Sequence, residues 1–150
     1  MAAWVIGYGF IQASAPKIAR ATTGMAAAVK AVRLWGFMLI IACAIIPLVL
    51  MLDFHPGMSL LVGLGIFGFI FAINSSVHSY LILAYTTGDD VSLNVGFYYM
   101  ANAVGRLMGT LLSGVMYYWG GIQACLWTAV IMCSVSAIMS LKFPTKIEAN

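Results

Sequence analysis

The chain has 150 residues, of which 63% are hydrophobic and only 7% charged, and its mean hydropathy is +1.03. These values exclude an ordinary soluble domain and point to an integral membrane protein, and at roughly 20 residues per crossing the length limits it to four or five helical spans. The net charge of +3 comes from only seven Lys and Arg residues, which do not interleave with aromatics, so no nucleic-acid partner is expected.

The first segment, 1–15, is apolar and Gly-containing. As a helix from Ala2 to Ala15 it reaches only about 21 Å at ~1.5 Å per residue, short of a ~30 Å hydrocarbon core, so it reads as a partial transmembrane helix. Ala13-Ser14-Ala15 resembles a small-residue cleavage site. A basic region ahead of it is missing and Pro16 would follow the cut, so a cleaved leader is rejected. Residues 16–33 carry Lys17, Arg20, Lys30 and Arg33 and read as a basic surface connection whose last part winds into the next helix.

Four full spans are expected within residues 34–142. The first is Leu34 to Leu52, with Pro47 as an internal kink, followed by a polar turn from Asp53 to Gly57. The second is Met58 to Tyr85, and the turn from Thr86 to Asp90 supplies an acidic cap for the third. The third covers Val91 to Trp119, where Gly120 and Gly121 break it. The fourth runs from Ile122 to about Leu141, and 143–150 form a polar tail. Cys43, Cys125 and Cys133 stand alone in apolar runs without ligand spacing, so neither a metal nor a cofactor is expected.

Short loops rich in Lys and Arg stay on the cytoplasmic side. Six of the seven cations fall in 17–33 or 142–146, regions separated by an even number of spans, so both are placed in the cytoplasm. The expected location is the plasma membrane or the cell inner membrane, crossed several times. The seventh cation, Arg106, is mid-span.

At 100° per residue, Tyr98, Asn102, Arg106, Gly109 and Ser113 fall within a sector of about 80° on the third span, with Tyr99, Thr110 and Tyr117 at its margin. Beside this polar stripe, Ala101, Gly105, Gly109 and Ser113 repeat at spacing four, a pattern that lets another helix approach closely. A charge near mid-membrane costs ~2.5–3.5 kcal/mol on insertion scales, so it is kept for a partner or a polar cavity. The distance of Arg106 from both span ends argues against snorkelling, and no Asp or Glu lies in the four spans. The leading readings are contact with an anionic ligand and pairing with a protein segment outside the chain, with snorkelling as the least favoured third.

The second span contributes INSSVHSY, in which Asn74 and His78 share a face. Depth matching between antiparallel helices places Asn74 near Asn102 and His78 near Tyr98. Ser75, Ser76 and Ser79 are ambiguous, since membrane hydroxyls commonly bond back to their own helix. An imidazole ordinarily titrates near ~6.5, which makes His78 either a protonation switch or a neutral interhelical hydrogen-bonding residue. Candidate substrate-binding residues are therefore Arg106, Asn102, Tyr98, Asn74 and His78.

The basic connection, the short turns, the Gly-rich second span and the third span with its mid-membrane polar residues resemble the C-terminal half of a major facilitator superfamily transporter over essentially the whole chain. FAINSSVHSYLILAY and SLNVGFYYMANAVGRLMGTLLSG are similar to organoarsenical efflux permeases of the ArsJ type. The resemblance implies that residues 1–15 correspond to the end of an eighth helix and the four full spans to helices nine to twelve. It also implies a missing N-terminal transporter half and export of a small anion such as 1-arseno-3-phosphoglycerate. Substrate would be held between two six-helix halves, so the chain is expected to be a fragment that does not transport alone.

The alternative is a small stand-alone four-helix membrane protein acting as an assembly partner or oligomeric pore, against which the half-length first segment argues. An intramembrane enzyme would need a nucleophile with its base, or paired acids, and neither constellation occurs.

Overall fold

A computed structural model describes residues 2–18, 24–52, 55–85 and 91–144. They form an all-α protein of four helices: α1 (Ala2–Ile18), α2 (Met25–Met51), α3 (Pro56–Tyr85) and α4 (Val91–Ser140). Of these, α2, α3 and α4 are long and apolar enough to cross a membrane.

α4 is not one straight rod. Gly120 has φ −151° and ψ 23°, and Gly121 has φ 62° and ψ −156°, the latter a conformation that a residue with a Cβ rarely adopts. The helix therefore breaks into a first limb, 91–119, and a second limb, 122–140. They fold back on each other, because the Cys125 thiol donates to the Ser113 carbonyl at 3.3 Å, bringing together residues on either side of the break.

α2 starts nine residues before the expected Leu34. The stretch MAAAVKAVR is rich in strong helix formers, and its small residues pack tightly: Ala28, Val29, Ala31 and Val32 form a buried cluster with Ala15 of α1 and Ile73, Val77 and Leu81 of α3. Lys30 is left exposed at the edge of that face. Most of the described part of the basic connection is thus the first turns of α2, and α1 extends to Ile18 rather than Ala15. α1 remains short, at about 25 Å for its 17 residues.

The second limb packs antiparallel on the other side of α2. Gly36 faces Ala137, whose Cβ would lie 3.6 Å from a Cβ at Gly36, and the Gln123 side-chain amide donates to the Pro47 carbonyl at 3.3 Å. Near the α2–α3 turn, Gly63 faces Ile46 so closely that an added Cβ would come within 2.7 Å of the Ile46 side chain. The outer surface is apolar: Phe10, Leu61, Leu107 and Met139 are all well exposed, as expected of helices solvated by hydrocarbon. The first limb is the least covered element, with no buried residue along its length.

Candidate functional site: a polar cleft between α1, α3 and the first limb

Three helices wall a cleft of about 1130 Å³: Gln12 and Ala13 from α1, Phe71, Ser75, Ser76 and Ser79 from α3, and Tyr98, Tyr99, Asn102, Gly105 and Arg106 from the first limb. The volume slightly exceeds the ~300–1,000 Å³ that small-molecule sites occupy. Polar groups on all three helices turn toward a common space.

On the first limb the stripe is organised by hydrogen bonds one helical turn apart. The Arg106 Nε donates to the Asn102 Oδ1 at 3.3 Å, a reach favoured because helical side chains lean toward the N-terminus. The Thr110 hydroxyl donates to the Arg106 carbonyl at 2.9 Å. Near the start of the limb the Tyr98 and Ser79 hydroxyls lie 3.0 Å apart and join the limb to α3. The rings of Tyr98 and Tyr99 are 5.6 Å apart and tilted. On the opposite wall, the Ser76 hydroxyl donates to the Gln12 carbonyl at 3.2 Å, which ties α1 to α3.

Arg106 itself is exposed to this space. Its described polar partner is Asn102, a neutral amide, and the four carboxylates of the chain, Asp53, Asp89, Asp90 and Glu148, lie outside the described residues. The guanidinium is always protonated and offers five donors in a planar fork, so one bond to Asn102 leaves most of its donor capacity open.

Of the five expected site residues, Arg106, Asn102 and Tyr98 line the cleft together. Asn74 and His78 do not, and the expected pairings of Asn74 with Asn102 and of His78 with Tyr98 are replaced. Asn74 is buried, and its side-chain oxygen has no hydrogen-bond partner among the described residues. The His78 Nδ1 bonds the Asn74 carbonyl at 2.9 Å, which makes Nδ1 the protonated nitrogen because a carbonyl only accepts. Its ring stands edge-on to Phe143 at 6.1 Å, beyond the end of the second limb. The depth expected for His78 was one residue off Ser79, but the face was wrong. α3 is rotated so that Ser75 and Ser79 meet the first limb.

Gln12 was missed because its segment reads as uniformly apolar. The available signal was that Gln12 is the sole amide in AAWVIGYGFIQASA, an amide with a cost in lipid unless it meets something polar. Among the described residues no group of three His, Cys, Asp or Glu side chains could hold a metal ion. Comparison with known protein families, curated proteins and solved structures yields no match.

Proposed function

We propose that the chain is the C-terminal portion of a secondary active transporter that exports a small anionic solute across the plasma or inner membrane by alternating access. The observation that carries this reading is Arg106: a permanent positive charge, deep in an apolar span, turned into a polar cleft and met there only by a neutral amide among the described residues. Such a charge is tolerated where an anion compensates it. A planar guanidinium suits phosphate, carboxylate or arsonate, two of whose oxygens it engages at once. Asn102 and Tyr98 would complete the contacts, and an ion gradient or a counter-solute would supply the energy.

The finer reading, an organoarsenical such as 1-arseno-3-phosphoglycerate as cargo, is supported by the resemblance of the α3 and first-limb segments alone. A missing transporter half would cover the face of the first limb where Ala101, Gly105 and Gly109 are exposed and where a Cβ at either glycine would meet nothing within 4 Å. That same face favours a second reading, a stand-alone assembly partner or oligomeric pore, since small residues also mediate association between copies.

The experiment is anion binding by the 150-residue chain in lipid nanodiscs, with ion conductance measured in proteoliposomes. Saturable binding of labelled phosphate or arsenate that Arg106→Ala removes supports the transporter reading. Ion conductance by a closed oligomer that is indifferent to Arg106→Ala would sink it in favour of the pore.

A further inference from the structure

The hydrogen bonds in the cleft have directions, and the directions specify a ligand more narrowly than its charge does. A serine hydroxyl has one proton. That of Ser79 is given to the Ser75 carbonyl at 3.1 Å, so in the 3.0 Å contact with Tyr98 the Ser79 oxygen accepts and the phenol donates. Tyr98 has then spent its only proton on α3. Toward the cleft it presents lone pairs alone.

At the other end the polarity is reversed. A guanidinium has no acceptor, so the 3.3 Å contact from the Arg106 Nε requires the Asn102 oxygen to face it, which turns the Asn102 NH₂ away from Arg106 with its two donors. Asn102 and Arg106 therefore make a donor end. Tyr98, one turn or about 6 Å along the helix axis from Asn102, makes an acceptor end.

We propose that the cleft selects oxyanions that also carry a hydroxyl or another hydrogen-bond donor, and that Tyr98, held as an acceptor by the Ser75–Ser79 chain, is the residue that determines this specificity. The inference rests on the reading of the cleft as an anion site and adds a rule for which anions it takes. A second oxyanion placed against Tyr98 finds only lone pairs and is disfavoured. A hydroxyl there donates to the phenol oxygen while the head occupies the donors of Arg106 and Asn102.

The test compares two probes of equal charge, glycerol 3-phosphate and propyl phosphate, bound to the purified chain in nanodiscs. Wild type should prefer glycerol 3-phosphate by roughly two- to tenfold, the worth of one neutral hydrogen bond. Tyr98→Phe should reduce that ratio to about one. Ser79→Ala removes the hydroxyl that takes the phenol proton, so Tyr98 is no longer fixed as an acceptor and the ratio should narrow while Tyr98 is intact. A merely structural role for either residue would weaken both probes together and leave the ratio unchanged. Equal binding of the two probes to wild type, abolished by Arg106→Ala, overturns the donor rule and leaves the anion site standing. Absence of binding by either probe, with Arg106→Ala indistinguishable from wild type, overturns both.

Discussion

Arg33 and Leu141 are joined across 108 positions of sequence by a 2.8 Å hydrogen bond from the Arg33 guanidinium to the Leu141 carbonyl. The same Nη2 also reaches the Phe143 carbonyl at 3.2 Å. Carbonyls at the end of a helix lack intrahelical donors, and a cation there also meets the negative end of the helix dipole. An α2 residue thus closes the second limb, and the Tyr85 hydroxyl, donating to the Pro144 carbonyl, adds α3 to the same junction. Arg33→Ala should lower stability by about 1.5 kcal/mol, the lower end for hydrogen bonds to a charged group because the contact is partly open to solvent. Arg33→Lys should lose less. Unfolding by denaturing detergent, followed by Trp fluorescence, reads the difference, and an unchanged midpoint for Arg33→Ala would show that the junction holds nothing.

Two glycines of α3 make an internal control. A Cβ at Gly63 would come within 2.7 Å of the Ile46 side chain, whereas one at Gly65 meets nothing within 4 Å. Gly63→Ala should therefore cost ~1–3 kcal/mol through overpacking, and Gly65→Ala should be neutral or slightly stabilising in a helix interior. Equal effects on the unfolding midpoint would mean that α2 and α3 do not approach as closely as this.

The break in α4 depends on Gly121, whose φ of 62° and ψ of −156° lie in a region open almost only to glycine. Gly121→Ala should destabilise the hairpin by ~1–3 kcal/mol. Disulfide formation between a cysteine introduced at Ser113, whose hydroxyl lies 3.9 Å from the Cys125 sulfur, and the retained Cys125, with Cys43 and Cys133 replaced, reports whether the limbs still fold back. Undiminished crosslinking in the Gly121→Ala background counts against a conformational requirement there.

Topology is open to direct labelling. With the three native cysteines replaced, cysteines at Ser92 and Lys142 should resist membrane-impermeant thiol reagents in whole cells, and cysteines at Gly57 and Trp119 should react. All four positions are exposed at the protein surface and lie at span ends, so protection does not come from packing against other helices. Labelling of Ser92 from outside would overturn the orientation drawn from the cations.

Arg106→Ala should weaken anion binding by roughly ten- to a hundredfold, the loss of ~1.5–3 kcal/mol from a charge-assisted hydrogen bond. Arg106→Lys, which keeps the charge and loses the planar fork, should fall between. Insertion and expression should survive both changes. A structural ion pair predicts otherwise: misfolding of Arg106→Ala, and rescue when the partner carboxylate is neutralised.

The residues by themselves determined the long helices and their breaks, because lipid leaves a backbone no alternative to internal hydrogen bonding. Long apolar runs must then be helical, and Gly120–Gly121 offers the point at which one of them breaks. They also determined the stripe of Tyr98, Asn102 and Arg106, since spacing of four on a single helix places side chains on one face whatever surrounds it. Only tertiary structure decided which face of α3 meets that stripe. INSSVHSY is polar around most of its circumference, with Asn74 and His78 on one side and Ser75 and Ser79 roughly 100° away, so its periodicity offers two faces of similar cost. The choice is made by Ile73, Val77 and Leu81, which lock onto the small residues of α1 and α2 and so rotate the serines into the cleft. The start of α2 was decided in the same way: a cluster of Ala and Val residues beside Lys30 and Arg33 is helical here because it has α1 and α3 to pack against, a partner that local sequence does not name.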